Sequence, residues 1–459
     1  MLAKKLALFQ ELSAALVEAE KREPVVEPIE AHRLFKTLDL RLEDKGCGED
    51  RLKLALRDLV LNTPRTASDQ FFNQLFGGRN AYAVLGDLLA VMLNNSMYTY
   101  KVAGPMVGVE KEIIRQVVRL LGFPASADGT IAPGGSMSNM MAMLMARDCA
   151  DPDLRYRGLK QKLFFYTSEE SHYSLAKNAA FIGIGRDQLR FIPTDAQGRM
   201  DVDLLAEQIE KDQKTEGLPA FVNATAGTTV MGAFDNIEAI ADLCAEQNIW
   251  LHVDGAYCGA VLFSDEYRFL IQGIERVDSF SVNAHKMLAT PLTCSIVVTR
   301  DKKHLHRSFA NEADYLYQTG DDEFNLGKIS LQCGRRNDAL KFWTLWKAVG
   351  TEGLGEMVEH QFHLADVARR YVSNHPDYTL YSYPHSIGIC FNYKNIPAET
   401  LCNRLYEKGR LMVGYGDFQD TRFVRLVTVN AGNDEEAILN FFHELEAFAA
   451  EELPETTKA

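Results

Sequence analysis

Near the start of the chain, apolar positions recur at helical spacing. Leu2, Leu6, Phe9, Leu12 and Leu16 fall on one stripe, with lysines and glutamates over much of the rest. This predicts an amphipathic helix over residues 2–22 whose stripe needs a partner, either its own core or another subunit. A second helical stretch, from Gly48 to Leu61, ends near Thr63-Pro64. From about residue 85 to 345 the pattern alternates. Leu163–Tyr166, Ala220–Ala224, Trp250–Val253 and Cys294–Thr299 are short apolar runs suited to buried strands, with helical patterns such as Asp235–Glu246 between some of them. That alternation predicts an α/β layer with a largely parallel sheet, whose ligand sites gather at the carboxyl ends of strands. Beyond Gly350, residues 386–393 and 423–429 read as strands. A last helix starts near Asn433-Asp434 and turns Ile438, Phe441, Phe442, Leu445 and Phe448 toward a core. The expected division is an N-terminal helical segment (1–84), a large α/β domain (85–347) and a small α+β domain (348–459).

Composition narrows the partners. The 459 residues are 46% hydrophobic and 24% charged, enough for a large core and more than one domain. A net charge of −14 repels nucleic-acid phosphates and anionic membranes, so neither is expected as a partner. An anionic substrate would need locally placed positive charge. The eight cysteines are scattered without a C-x-x-C pair, which reads as reduced thiols in a cytoplasmic protein, with no disulfide framework or zinc site. The N-terminus shows no apolar signal core, and no apolar run reaches the length of a membrane span.

The chemistry concentrates in a few strings. In Leu251-His-Val-Asp254-Gly-Ala256 an aspartate closes an apolar strand, and Asn283-Ala-His285-Lys286 follows on a later strand-end loop. An aspartate and a lysine meeting across a flat ring is what pyridoxal chemistry needs. The carboxylate keeps the pyridine nitrogen protonated and the amine forms an imine. Taken singly, each string is as readily a turn aspartate or a surface lysine. Gly134-Gly-Ser136-Met137-Ser138-Asn139 precedes a helical run, Met140–Arg147, and presents a positive helix end to a phosphate, although such loops are common without one. His172 follows a strand and is suited to stacking on a ring, or to a structural role. Thr225, in Ala224-Thr225-Ala-Gly-Thr228-Thr229, either reaches a ring substituent or shapes a turn. Arg425 shares a strand face with Phe423, Val427 and Val429, so it requires a carboxylate partner, either structural or a substrate.

Several strings occur together in one order: Phe71-Phe-Asn-Gln74-Leu-Phe76, Ala132-Pro-Gly-Gly-Ser136, Ser171-His172-Tyr, Ala224-Thr225-Ala-Gly-Thr-Thr229, His252-Val-Asp254, His285-Lys286-Met and Gln332-Cys-Gly-Arg-Arg336. Over roughly residues 60–450 the chain resembles the group II pyridoxal-phosphate amino acid decarboxylases of fold type I. Within them it resembles most the glutamate, cysteine sulfinate and aspartate decarboxylase branch. The resemblance implies a pyridoxal 5′-phosphate cofactor and a homodimer with its sites at the subunit interface. It makes Lys286 the Schiff-base lysine, Asp254 the partner of the ring nitrogen, His172 the stacking residue and Ala256 the contact on the other face. Thr225 would sit near the ring hydroxyl, and Ser136, Met137, Ser138, Asn283 and His285 around the phosphate. Cys333 and Gly334 would reach the neighbouring subunit's phosphate. Arg425 and Gln74 would hold the substrate's distal acid, and Tyr315, on a polar loop spanning Asn311 to Gly327, would return a proton to Cα.

Phe76 and Ser96 resemble the cysteine sulfinate branch, and a bulkier wall favours a substrate one methylene shorter than glutamate. Lys101, in Tyr100-Lys-Val-Ala-Gly104-Pro105, reverses the charge found in the animal enzymes. The expected reaction is therefore α-decarboxylation of aspartate to β-alanine or of cysteine sulfinate to hypotaurine, with glutamate to 4-aminobutyrate as the alternative. More distant readings are another fold type I enzyme, such as an aminotransferase or carbon–sulfur lyase, and a non-catalytic dimeric binding protein. Tyr315 and the Gln332–Arg336 string argue against the first. Lys286, Asp254 and His172 argue against the second.

Overall fold

A computed structural model describes residues 2–311 and 322–452. Two compact units divide the chain. The larger comprises residues 79–363 and 383–387, and the smaller residues 1–78, 364–382 and 388–459. The first 78 residues thus share a unit with the C-terminal segments.

The larger unit is built on a seven-stranded sheet. Its strands are β1 (Asp128–Ala132), β2 (Leu163–Ser168), β3 (Leu189–Ile192), β4 (Leu218–Thr225), β5 (Trp250–Gly255), β6 (Ser279–Asn283) and β7 (Ser295–Thr299). The spatial order is β1-β7-β6-β5-β4-β2-β3. From β6 to β3 all neighbours are parallel, and β7 runs antiparallel to both β6 and β1. The four strands expected from apolar runs are all present, and the sheet is largely parallel as the alternation predicts. β2, β5, β6 and β7 are buried along their whole length, the pattern of strands covered on both faces. Register matters here: Thr225 on β4 pairs with Asp254 on β5, and Asp254 with Ser281 on β6, so their carboxyl ends lie level.

Helix Gly135–Ala150 packs on the sheet through Met141, Ala142, Met143, Met145 and Ala146, all buried. Ile237, Ile240, Ala241 and Cys244 bury one face of helix Ile237–Gln247, whose start is capped by the Asn236 side chain accepting from the Ala239 N–H.

In the smaller unit four antiparallel strands, β8 (Tyr378–Leu380), β9 (Gly388–Tyr393), β10 (Gly414–Phe418) and β11 (Thr421–Val427), lie in the order β10-β11-β9-β8. Helix Glu435–Glu452 buries Ile438, Phe441, Phe442, Leu445 and Phe448, the set expected from periodicity. The N-terminal helices Leu2–Arg22 and Glu49–Leu61 also match their predicted spans to within a residue. Among the described residues, no helix is long and apolar enough to cross a membrane.

Candidate active site

At the carboxyl ends of the larger unit's strands lies a cavity of about 230 Å³. It is reached by Ser136, His172, Thr225, Asp254, Ala256, Asn283, His285 and Lys286. Eight of the residues expected around a cofactor therefore meet on one cavity. They arrive from five strand ends: Ser136 after β1, His172 after β2, Thr225 on β4, Asp254 and Ala256 at the end of β5, and Asn283, His285 and Lys286 at the end of β6.

Asp254 is held firmly. Its Oδ2 accepts from Asn139 Nδ2 at 2.7 Å and its Oδ1 from the Ala256 N–H at 3.0 Å. Two donors on its two oxygens fix the carboxylate's orientation. Lys286 sits in a turn after β6, with its N–H on the Asn283 carbonyl at 3.2 Å and its ammonium 5.9 Å from the centre of the Tyr257 ring. The next residues are tied down by a second, wholly buried lysine. Lys341 Nζ lies 3.3 Å from the carbonyls of Pro291 and Thr293, and its charge is met by Asp87 at 3.1 Å and Asp338 at 3.0 Å.

His172 Nδ1 lies 2.8 Å from Ser174 Oγ and accepts the Ser174 N–H at 3.2 Å. A nitrogen that accepts from a main-chain N–H carries a lone pair there, so the hydrogen of the neutral ring is on Nε2. Burial lowers the affinity of His172 for a second proton, an effect that Asp254 opposes and Lys286 reinforces. The ring is thus a neutral, flat group at neutral pH.

The helix that starts at Gly135 fits a phosphate. Gly134 adopts φ of +100°, and a side chain on Gly135 would lie 2.9 Å from Asn283 Nδ2 and 3.1 Å from Ala256 Cβ, so only glycine allows this close approach. The first turn carries no acidic residue and no side-chain cap, which leaves the positive helix end to an anion. Ser138 Oγ and Ser295 Oγ are 2.8 Å apart, and Ser295 donates in turn to Asn283 Oδ1. His285 Nδ1 is 2.9 Å from both the main-chain N and O of Cys294, and burial holds its pKa down to about 4. Lysine, carboxylate, flat imidazole and anion-binding helix end together fit a phosphorylated pyridine aldehyde.

The model of the pyridoxal-dependent decarboxylase conserved domain matches residues 32–394. The chain belongs to this family. The chain is therefore a pyridoxal-phosphate-dependent amino acid decarboxylase, a carboxy-lyase. A cysteine sulfinic acid decarboxylase of Mus musculus is 36% identical over 92% of this chain and 92% of its own. The acidic amino acid decarboxylase GADL1 of Xenopus tropicalis is 35% identical over 87% of this chain and 83% of its own. The crystal structure of mouse CSAD in apo form superposes with a TM-score of 0.92 at 34% identity, covering 97% of this chain and 99% of that one.

Other expected residues of this decarboxylase lie elsewhere. Met137 and Ser138 belong to the same helix start but do not line the cavity. Ser96 Oγ accepts the Arg335 N–H at 3.0 Å, which anchors the Gln332–Arg336 string. In that string Arg335 is buried and forked onto Glu110, with further bonds to Thr130 Oγ1 and the Ile131 carbonyl, while Cys333 and Gly334 are exposed. Gln74, Phe76 and Arg425 belong to the smaller unit. There Arg425 Nη2 donates to the Asn73 carbonyl at 3.0 Å, Gln74 is exposed and the Phe76 ring lies 6.3 Å from that of Phe71. Tyr315 lies outside the described residues, as does most of the loop around it. Sequence reasoning missed Asn139 and Ser174, which hold Asp254 and His172. The only sequence signal was the polar Ser138-Asn139 pair entering an otherwise Met-rich helix.

Proposed function

We propose that this decarboxylase acts on a small acidic amino acid, with cysteine sulfinate or aspartate favoured and glutamate the alternative. The observation that carries the reading is the convergence of Lys286, Asp254 and His172 on one cavity, in a chain whose relatives are named for cysteine sulfinic acid and acidic amino acids. When bound, pyridoxal phosphate supplies the sink for the electron pair left as the carboxylate departs as carbon dioxide. Lys286 would be the lysine that holds the cofactor through Nζ. Asp254, oriented by Asn139 and the Ala256 N–H, keeps the ring nitrogen protonated. His172 would stack on the ring, Ala256 would contact its other face and Thr225 would serve the ring hydroxyl. Ser136, Asn283 and His285 would hold the phosphate, with Met137 and Ser138 in the helix start behind them, and Cys333 and Gly334 would serve the phosphate of the neighbouring subunit.

Arg425 and Gln74 would hold the distal acid of the substrate and so position it. Such positioning lowers barriers by about 7–11 kcal/mol in favourable models. Phe76 and Ser96 would favour an acid shorter than glutamate, and Tyr315 would deliver a proton to Cα.

A homodimer is supported by helix Ala81–Leu93, which exposes Tyr82, Leu85, Leu89, Val91, Met92 and Leu93. A contiguous apolar surface of this kind marks an interface. A cytoplasmic setting accords with eight cysteines that form no disulfide among the described residues. The test is carbon dioxide release by the holoenzyme from cysteine sulfinate, aspartate and glutamate under one condition. Higher kcat/KM for either shorter acid supports the reading. A preference for glutamate, or turnover only with a keto acid acceptor, contradicts it.

A further inference from the structure

Asn139 is buried in the second turn of helix Gly135–Ala150, where two active-site side chains meet it. Its Nδ2 donates to Asp254 Oδ2 at 2.7 Å and to Ser174 Oγ at 3.3 Å, which uses both amide hydrogens. A carboxylate only accepts, so the amide nitrogen faces Asp254, and Oδ1 faces His252 Nε2 at 3.3 Å. His252 therefore carries its hydrogen on Nε2. Its Nδ1, 2.9 Å from Ser279 Oγ, accepts. Ser279 Oγ in turn accepts from Trp250 Nε1, a group that only donates, at 2.9 Å. The bonds run in one direction, from Trp250 through Ser279, His252 and Asn139 to Asp254. Each donor is polarised by the one before it, which strengthens the chain. His252 is wholly buried, and burial holds its pKa down to about 4, so it stays neutral and the direction is kept. A second branch runs from Asn139 through Ser174 to His172 Nδ1.

We propose that Asn139 is a positioning residue for the decarboxylation, setting Asp254 and His172 together against the cofactor ring, with neutral His252 locking its amide. The proposal rests on the reading of Asp254 and His172 as ring contacts. An asparagine that merely filled space would tolerate an apolar residue of the same size without moving either group.

The test compares Asn139→Leu, His252→Gln, His252→Leu and Asp254→Asn in the holoenzyme. It reads the cofactor's visible band and its pH profile, cofactor retention on dialysis, and kcat and KM separately. Asn139→Leu is expected to lower kcat about 10- to 100-fold with KM little changed, to shift the band and to speed cofactor loss. Asp254→Asn should move the same band and retention further. His252→Gln, which keeps an N–H at the Nε2 position, should behave like the parent, and His252→Leu like Asn139→Leu. ¹⁵N spectra of the imidazoles in the cofactor-free protein should show His252 as the Nε2–H form. If Asn139→Leu folds and keeps band, retention and kcat while Asp254→Asn alters them, the proposal is overturned and the reading of Asp254 stands. If Asp254→Asn alters none of them, that reading falls and the proposal with it. If Asn139→Leu does not fold, the His252 pair decides: equal behaviour of the Gln and Leu variants overturns the proposal.

Discussion

Asp254 and Arg425 are the two charged groups to which opposite ends of the chemistry are assigned, and they are held in different ways. Asp254 ends a wholly buried central strand and accepts from an amide that is itself fixed by a histidine, a serine and a tryptophan. Arg425 is half-buried on a four-stranded antiparallel sheet, and Nη2 donates to the main-chain carbonyl of Asn73. The first arrangement presets a charge. The second presets an arm. Where electrons move, orientation must exist before substrate arrives, because reorganisation at that moment raises the barrier. Where an acid is merely recognised, as we propose for Arg425, a main-chain contact that holds the guanidinium in place serves that end.

The largest expected effect falls on the preset end. Lys286→Ala should abolish turnover and the visible cofactor band together; a variant that keeps both would place the cofactor lysine elsewhere. Tyr315→Phe should let substrate partition toward abortive deamination, read as ammonia and carbonyl product beside carbon dioxide. Unchanged product would assign the proton to another group. At the adaptable end, Arg425→Ala should lower kcat/KM about 10- to 100-fold, mostly through KM, because a bond to a charged group is worth about 1.5–3 kcal/mol. A lowered melting temperature with unchanged KM would make Arg425 structural. Phe76→Ala should move preference toward glutamate by about 1–3 kcal/mol, the value of one methylene. Equal kcat/KM ratios before and after would remove Phe76 from the pocket wall.

Acid should also probe the preset end. His252 and His285 have ordinary values of 6.5 and are held near 4 in the fold. Between those values the unfolded chain binds protons that the native protein refuses, so stability falls as pH drops from 6.5 toward 4. Above that window neither histidine contributes. Melting temperatures across the window should show the loss, and His252→Gln should reduce it while His285 keeps its share.

Much of this was legible in the residues, and the misses have physical causes. The runs at 163, 220, 250 and 294 are apolar because the sheet is covered on both faces, so β2, β4, β5 and β7 could be read directly. β6 could not, because Ser279 and Ser281 interrupt its pattern with hydroxyls that are buried nonetheless. Ser279 is polar for a reason no local pattern shows: it joins Trp250 to His252. That Lys286, Asp254 and His172 would come together was readable from their chemistry and order, and they line one cavity. Asn139 and Ser174 were not readable, since their roles arise only when a helix start and two strand ends come together. Arg425 Nη2 donates to the Asn73 carbonyl, a partner that no side-chain pattern encodes.

The claim on which the rest depends is that Lys286 carries the cofactor. Reduction of the holoenzyme with borohydride, followed by peptide mapping by mass spectrometry, tests it directly. The account predicts one pyridoxyl-phosphate adduct, on the peptide that contains Lys286. An adduct on Lys341 or another lysine, with Lys286 unmodified, would contradict it.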